Sequence, residues 1–241
     1  MPHAFKLCFR YIKRKVFYFS RQFVGIFFGF FLRKIHNPER LPKNGPCLIV
    51  SNHFSYLDSL IISSIYRKQY IVILASQDIK KQPIMHWLSK YNVTIFVDLE
   101  NGGLSALRNI ISLLRRGYIV LVYPEGTRSR SGLMGEPQAG FIKIAQAANV
   151  PIIPVSMKGT FDILPPHKII PKLKRCELVV GLPIYINKEN VEFSSLFNEK
   201  GNITVSASIQ IAYKIMDKIA RSVNQSWDLK VRSNSKYLED V

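Results

Sequence analysis

His53 and Asp58 lie five residues apart in Ser51-Asn52-His53-Phe54-Ser55-Tyr56-Leu57-Asp58, where the apolar run 47–51 gives way to polar residues. Such a junction is a usual place for reactive groups in α/β folds. On one continuous helix this separation would put the two side chains about 140° apart, so they meet only if a turn precedes the helix that carries Asp58. A carboxylate on one imidazole nitrogen would fix the tautomer and stabilise the imidazolium, leaving the other nitrogen free as a general base. Taken alone, the pair is a weak signal and reads more readily as a polar loop histidine beside an incidental helix-start aspartate.

A second candidate also follows an apolar strand-like run: Tyr123-Pro124-Glu125-Gly126-Thr127-Arg128-Ser129-Arg130. Gly126 would let the backbone approach a ligand closely, and Arg128 offers a planar fork suited to phosphate oxygens. The chemistry indicated is anion binding, although a solvated basic turn has the same composition. There is no GxxxxGK[ST] and no strand-bound GxGxxG, so nucleotide phosphates are not the obvious ligand. His3, His36, His86 and His167 have no metal-ligand spacing among them, and no metal is expected. Ser51 and Ser55 are the nearby hydroxyls that an enzyme-bound intermediate would need, but no GxSxG elbow accompanies them, which favours direct transfer.

The elements that must position these groups are legible from pattern. Strand-like runs fall at 47–51, 70–74, 93–97, 118–123, 152–157 and 177–181. Leu104, Leu107, Ile110, Ile111 and Leu114 mark one helical face that ends at Gly117, 141–148 reads as a short buried helix before Pro151, and 205–223 fits a further helix. Strands alternating with helices at this spacing predict an α/β fold, a central, mostly parallel sheet flanked by helices on both faces. The polar tail from Arg232 lies beyond the last predicted helix.

A chain of 241 residues with 47% hydrophobic content can bury one sizeable core, so one main domain is expected. Its 34 Lys and Arg against 16 Asp and Glu give a net charge of +18, which calls for an anionic partner. The position of the charge narrows the choice. The first 40 residues hold nine basic side chains and one acid, a net +8, together with 11 of the 28 aromatics, a mixture suited to an interfacial membrane segment. The apolar run 23–32 is about half the roughly 20 residues a spanning helix needs, so it predicts insertion into one leaflet. No small-residue cleavage site follows Leu32, which argues against a signal peptide. The turn-rich stretch from Asn37 to Pro46 marks a boundary. This divides the chain into a membrane-associating helical segment, 1–36, and an α/β domain, 37–241. Cys8, Cys47 and Cys176 are too few and too scattered for a disulfide framework, which fits the cytoplasmic face of a membrane. No recognition motif accompanies the basic residues, so nucleic acid is not an expected partner.

Together the motifs say more than each alone. Asn52-His53 with Asp58, then Glu125-Gly126-Thr127-Arg128-Ser129, then Val150-Pro151-Ile152-Ile153-Pro154-Val155, resembles the 1-acylglycerol-3-phosphate acyltransferase family in order, spacing and flanking strands, over roughly residues 37–190. The resemblance implies a His53 base paired with Asp58. It also implies a loop of Glu125, Gly126, Thr127, Arg128 and Ser129 that holds the acceptor's phosphate, and Pro154 in a strand lining the acyl pocket. The implied donor is acyl-CoA or acyl-carrier protein, the acceptor a lysophospholipid at the lipid surface, and no cofactor is required. Two positions depart from the pattern. Asp98 is followed by Leu99 where relatives have Arg, and Gln138 stands where they often have Lys. Both lost groups would face the acceptor's phosphate, which leaves open a different lysolipid acceptor, or replacement by Arg130 or Lys143.

Overall fold

The computed structural model describes residues 25–66, 71–76, 93–97 and 103–228. Among the described residues seven strands, β1 (Leu32–His36), β2 (Cys47–Ser51), β3 (Ile71–Ser76), β4 (Val93–Val97), β5 (Ile119–Val122), β6 (Ile152–Lys158) and β7 (Cys176–Val180), form one sheet in the order β1-β7-β6-β2-β5-β3-β4. Every ladder is parallel except β6 with β7, so β1 and β7 run against the other five. Around it lie α1 (Leu57–Ile65), α2 (Gly103–Arg115), α3 (Gly140–Ala148), the single turn α4 (Thr160–Ile163) and α5 (Val205–Ser222). This is the mostly parallel α/β sheet expected from the sequence.

Strand β2 sits inside the parallel part and is buried at all of its residues. Its side chains alternate between two cores: Leu48 and Val50 pack with Ile142, Ile211 and Ile215, while Cys47 and Ile49 pack with Leu57, Ile61 and Ile163. A strand covered on both faces needs an unbroken apolar run, which is what Cys47–Ile49 supply. Each large aliphatic side chain so buried contributes roughly 1.5–3 kcal/mol. That packing holds the strand fixed, and therefore whatever its carboxyl end carries.

The register of β2 with β5 brings the two candidate motifs together. Val50 lies beside Val122, and both strands run the same way, so chain leaving each one emerges at the same edge of the sheet. His53 is three residues past Val50, and Glu125 is three residues past Val122. Ligands in open α/β sheets gather beyond the carboxyl ends of strands.

Chain upstream of residue 37 also takes part in the sheet and its core. Leu32–His36 is an edge strand paired with β7, Phe28 and Phe31 are buried in the core on the α1 side, and Cys176 N donates to Phe31 O at 2.8 Å. Arg33, Lys34 and His36 conceal this strand in the sequence, because edge strands carry charge and read as loop. Residues 25–29 are helical, and the segment has two sides: Phe28 and Phe31 face the core, while Ile26, Phe27 and Phe30 are each more than half exposed. The remainder of the N-terminal segment, residues 1–24, lies outside the described residues, as do Leu99 and the tail from 232.

Candidate active site

The turn demanded by the His53–Asp58 spacing is present. Helix α1 begins at Leu57, and residues 52–55 fold back so that His53 Nδ1 lies 3.0 Å from Asp58 Oδ2. The same oxygen accepts the backbone N–H groups of Phe54 at 2.7 Å and Ser55 at 2.8 Å. Asp58 has no exposed surface. An oxygen receiving this many donors is kept as an acceptor, so Nδ1 carries the proton and Nε2 keeps the lone pair a base requires. The imidazole is 17% exposed and stacks on the Tyr123 ring, with centroids 3.9 Å apart and planes 14° apart. Tyr123 is held in turn by a 2.9 Å hydrogen bond between its hydroxyl and Ser59 of α1. Burial pushes its phenol well above the ordinary range, so it serves as a neutral wall for the ring.

Glu125 joins the second motif to the first. Its Oε1 accepts the backbone N–H of His53 at 2.9 Å, and its Oε2 accepts that of Gly135 at 2.8 Å. Ser129 N donates to His53 O at 2.8 Å, and Ser129 Oγ accepts from Gly132 N at 2.9 Å. Both backbone polar groups of His53 are thus held by the Glu125–Ser129 loop. Gly126 adopts φ +68°, and a Cβ there would come within 2.9 Å of Gln138 Nε2, so the turn requires glycine. Thr127 is exposed.

Desolvation raises the Glu125 carboxyl from 4.5 to about 7, with the two backbone donors opposing the shift. The folded protein therefore binds this proton more tightly than the unfolded chain. The stability so contributed is complete below about pH 4.5 and is lost as pH rises through about 7. Melting temperatures measured from pH 4.5 to 7.5 should lose part of that slope in Glu125→Gln. An unchanged slope would place the carboxyl's folded value near its unfolded one.

Arg128 lies over the Tyr56 ring, its guanidinium carbon 3.3 Å from the centroid. Its buried Nη1 has no protein partner, although burial of such a donor normally demands one. Tyr56 sits between His53 and Asp58 in sequence, so the first motif itself aims the arginine of the second. Asn52 braces the same edge: its side-chain amide donates to Met157 O at 2.9 Å and accepts from Met157 N at 2.8 Å, tying the end of β2 to β6. Sequence reading missed Asn52, Tyr56 and Tyr123 as positioning residues. The available signal was polar and aromatic side chains directly at the ends of apolar strands.

The nucleophiles an acyl-enzyme would need are occupied. Ser51 and Ser55 are both fully buried; Ser51 Oγ donates to Asn52 O, and Ser55 Oγ donates to Leu164 O at 2.7 Å while accepting from Leu57 N. Burial pushes the Cys47 and Cys176 thiols up to about 12, far from a reactive thiolate at neutral pH. Pro154 is buried in β6 beside Val50, and its ring lies where Gly181 passes, 3.1 Å from a Cβ placed on that glycine. The structure places it in strand β6, within the sheet.

A histidine base held by a buried carboxylate, beside an arginine with an open donor, is equipment for base-assisted group transfer to or from an anionic molecule. Comparison with known proteins gives this class a family. The family model described as Acyltransferase matches residues 33–158, and the chain belongs to that family. It is 30% identical over 168 residues to a chloroplastic 1-acyl-sn-glycerol-3-phosphate acyltransferase of Brassica napus, covering 68% of this chain and 48% of the relative. It is 32% identical over 181 residues to a probable 1-acyl-sn-glycerol-3-phosphate acyltransferase of Mycoplasma pneumoniae, covering 68% and 66%. The chain thus spans about half the length of the Brassica relative and about two thirds of the Mycoplasma one. The crystal structure of the 1-acyl-sn-glycerophosphate acyltransferase of Thermotoga maritima shares the fold, with a TM-score of 0.63 at 23% identity, covering 89% of this chain and 82% of that one.

Proposed function

We propose that this protein moves a fatty acyl group from an acyl thioester, acyl-CoA or acyl-carrier protein, to the free hydroxyl of a lysophospholipid, with 1-acylglycerol-3-phosphate as the preferred acceptor and phosphatidic acid as the product. The observation that carries this reading is the joining of His53, its Asp58 partner and the Arg128 loop at one edge of the sheet. In the reaction, the acceptor hydroxyl oxygen bonds to the thioester carbonyl carbon as its proton passes to His53 Nε2. The tetrahedral intermediate then collapses, the C–S bond breaks, and the leaving thiolate takes the proton back from the imidazolium. Asp58 favours the imidazolium through its charge. No residue of the protein is acylated, in keeping with the buried, hydrogen-bonded state of Ser51 and Ser55. The reaction takes place at a membrane surface, with the basic, aromatic-rich N-terminal segment as a contact on the cytoplasmic face. Among the described residues no helix is long and apolar enough to cross a membrane.

Purified protein in detergent, offered labelled acyl-CoA or acyl-carrier protein with a panel of lysolipids and read by product mass, tests donor and acceptor together. Absence of any acylated lysolipid would refute the reading. Acceptors without a terminal phosphate form the second possibility, favoured by the neutral Gln138 lying against Gly126 where a basic group would reach a phosphate.

The phosphate contact is tested separately. Arg128→Lys replaces a fork stacked on Tyr56 by a point charge that cannot reproduce bidentate geometry. A charge-assisted hydrogen bond contributes about 1.5–3 kcal/mol, so the acceptor KM should rise about tenfold to a hundredfold while the donor KM stays nearly unchanged. Equal changes in both constants would remove Arg128 from the acceptor site.

A further inference from the structure

Between α4 and β7 the chain makes an excursion whose composition is unlike the rest of the surface. Ile169, Ile170 and Leu173 are 83%, 82% and 91% exposed, and Lys168, Lys172, Lys174 and Arg175 are exposed among them. The excursion has a fixed base. Lys172 N donates to Ile163 O at 2.8 Å, Lys168 N donates to Pro165 O at 3.0 Å, and Pro165, Pro166 and Pro171 restrict the backbone between. Three large aliphatic side chains held out into water by an anchored, proline-stiffened loop are costly to the isolated protein.

Two contacts position this surface. The Arg175 guanidinium lies 4.9 Å from the Phe30 ring, which places the loop beside the exposed Ile26, Phe27 and Phe30 of the N-terminal turn. At the other end, Leu164 O receives the Ser55 hydroxyl, three residues from Asp58. The Ser55–Leu164 bond is buried, so it ties the base of the loop to the His53–Asp58 turn, while the exposed apolar surface itself runs from the loop to the N-terminal turn.

We propose that the 168–175 loop is a membrane-docking element that inserts Ile169, Ile170 and Leu173 into an anionic bilayer and, with Phe27 and Phe30, seats the His53 edge of the sheet at the lipid surface. Charge complementarity selects this occupant: the four cations interleave with aliphatic side chains, so the same loop offers cations to lipid phosphates and apolar groups to the acyl boundary. The acids ion-paired within this region are Asp162, 3.7 Å from Lys174, and Glu177, 3.9 Å from Arg33 and bonded to His36. They leave Lys168, Lys172 and Arg175 to face lipid. Docking itself is independent of turnover. Only its purpose, delivery of a membrane-resident acceptor to His53, rests on the proposed acyltransferase reading.

The test uses the full chain and vesicles of phosphatidylglycerol with phosphatidylcholine. Ile170→Trp should show tryptophan fluorescence quenched by lipids brominated near the glycerol end of the acyl chain, above the level given by the native tryptophans. The triple variant Ile169→Ser, Ile170→Ser, Leu173→Ser should bind these vesicles about tenfold or more weakly, since each aliphatic side chain adds a favourable transfer term. It should keep its melting temperature, because the three side chains touch mainly water, and its turnover of a short-chain, water-soluble acceptor. Lys168→Ala with Lys172→Ala should weaken binding at low salt and matter little at high salt. Absence of quenching at position 170, or unchanged vesicle binding by the triple variant, would overturn the proposal. So would normal vesicle binding with a selective loss of turnover from acyl-carrier protein, which would make the loop a protein-docking surface. Failure of every acceptor in the presence of normal docking would count against the acyltransferase reading instead.

Discussion

His53→Ala should lower turnover by about 10² to 10⁴, the range that positioned general-base catalysis supplies, and should leave the fold in place. The structure separates the two effects. What fixes residue 53 in the fold is its backbone, whose N–H is held by Glu125 and whose carbonyl is held by Ser129 N, and both bonds survive truncation to alanine. The imidazole contributes its Asp58 hydrogen bond and its stack on Tyr123. Its loss leaves Asp58 Oδ2 still receiving the backbone donors of Phe54 and Ser55. Single-turnover rates with excess lysolipid, alongside a thermal melt, measure the two quantities independently. Near-normal turnover would end the proposed mechanism. A large drop in melting temperature would mean that the ring holds the loop together, so that lost activity could not be assigned to lost base.

Much of this site was legible from the residues because its parts are local. The His53–Asp58 pair requires one turn, the spacing states that requirement, and the chain meets it with residues 52–55. The parallel strands are buried on both faces and so announce themselves as unbroken apolar runs such as 47–51 and 119–122. What stayed hidden depends on register. Nothing in the sequence aligns Val50 with Val122, so neither the bond that His53 N donates to Glu125 across 72 residues nor the hold of the Glu125 carboxyl on Gly135 N is legible there. Tyr56 was missed for the same reason, since its partner Arg128 belongs to another strand's loop. The edge strand Leu32–His36 was hidden differently. Its charged residues gave a boundary signal, whereas its pairing with β7 follows from a strand about 140 residues downstream.

Asp58→Asn distinguishes an electrostatic partner of the base from a residue that merely starts helix α1. Asp58 turns away from the helix and accepts donors from the turn before it: Phe54 N, Ser55 N and His53 Nδ1 all converge on Oδ2. In the asparagine variant the carbonyl oxygen must stay in that position, because the amide nitrogen there would oppose two N–H groups. The NH₂ then occupies the place of Oδ1, which is buried without a partner. The orientation of His53 is largely kept, but the charge that stabilises the imidazolium is gone and a buried donor is left unsatisfied, at about 1–3 kcal/mol. Turnover should therefore fall about 10² or more, with a modest drop in melting temperature. Asp58→Ala removes the acceptor altogether, strands the N–H groups of Phe54 and Ser55 as well, and should cost more stability than the asparagine variant with little further loss of rate. This ordering, with rate lost in Asn and stability lost mainly in Ala, is specific to a carboxylate that both shapes the turn and charges the base. Parental turnover in Asp58→Asn would show that the turn is all Asp58 provides.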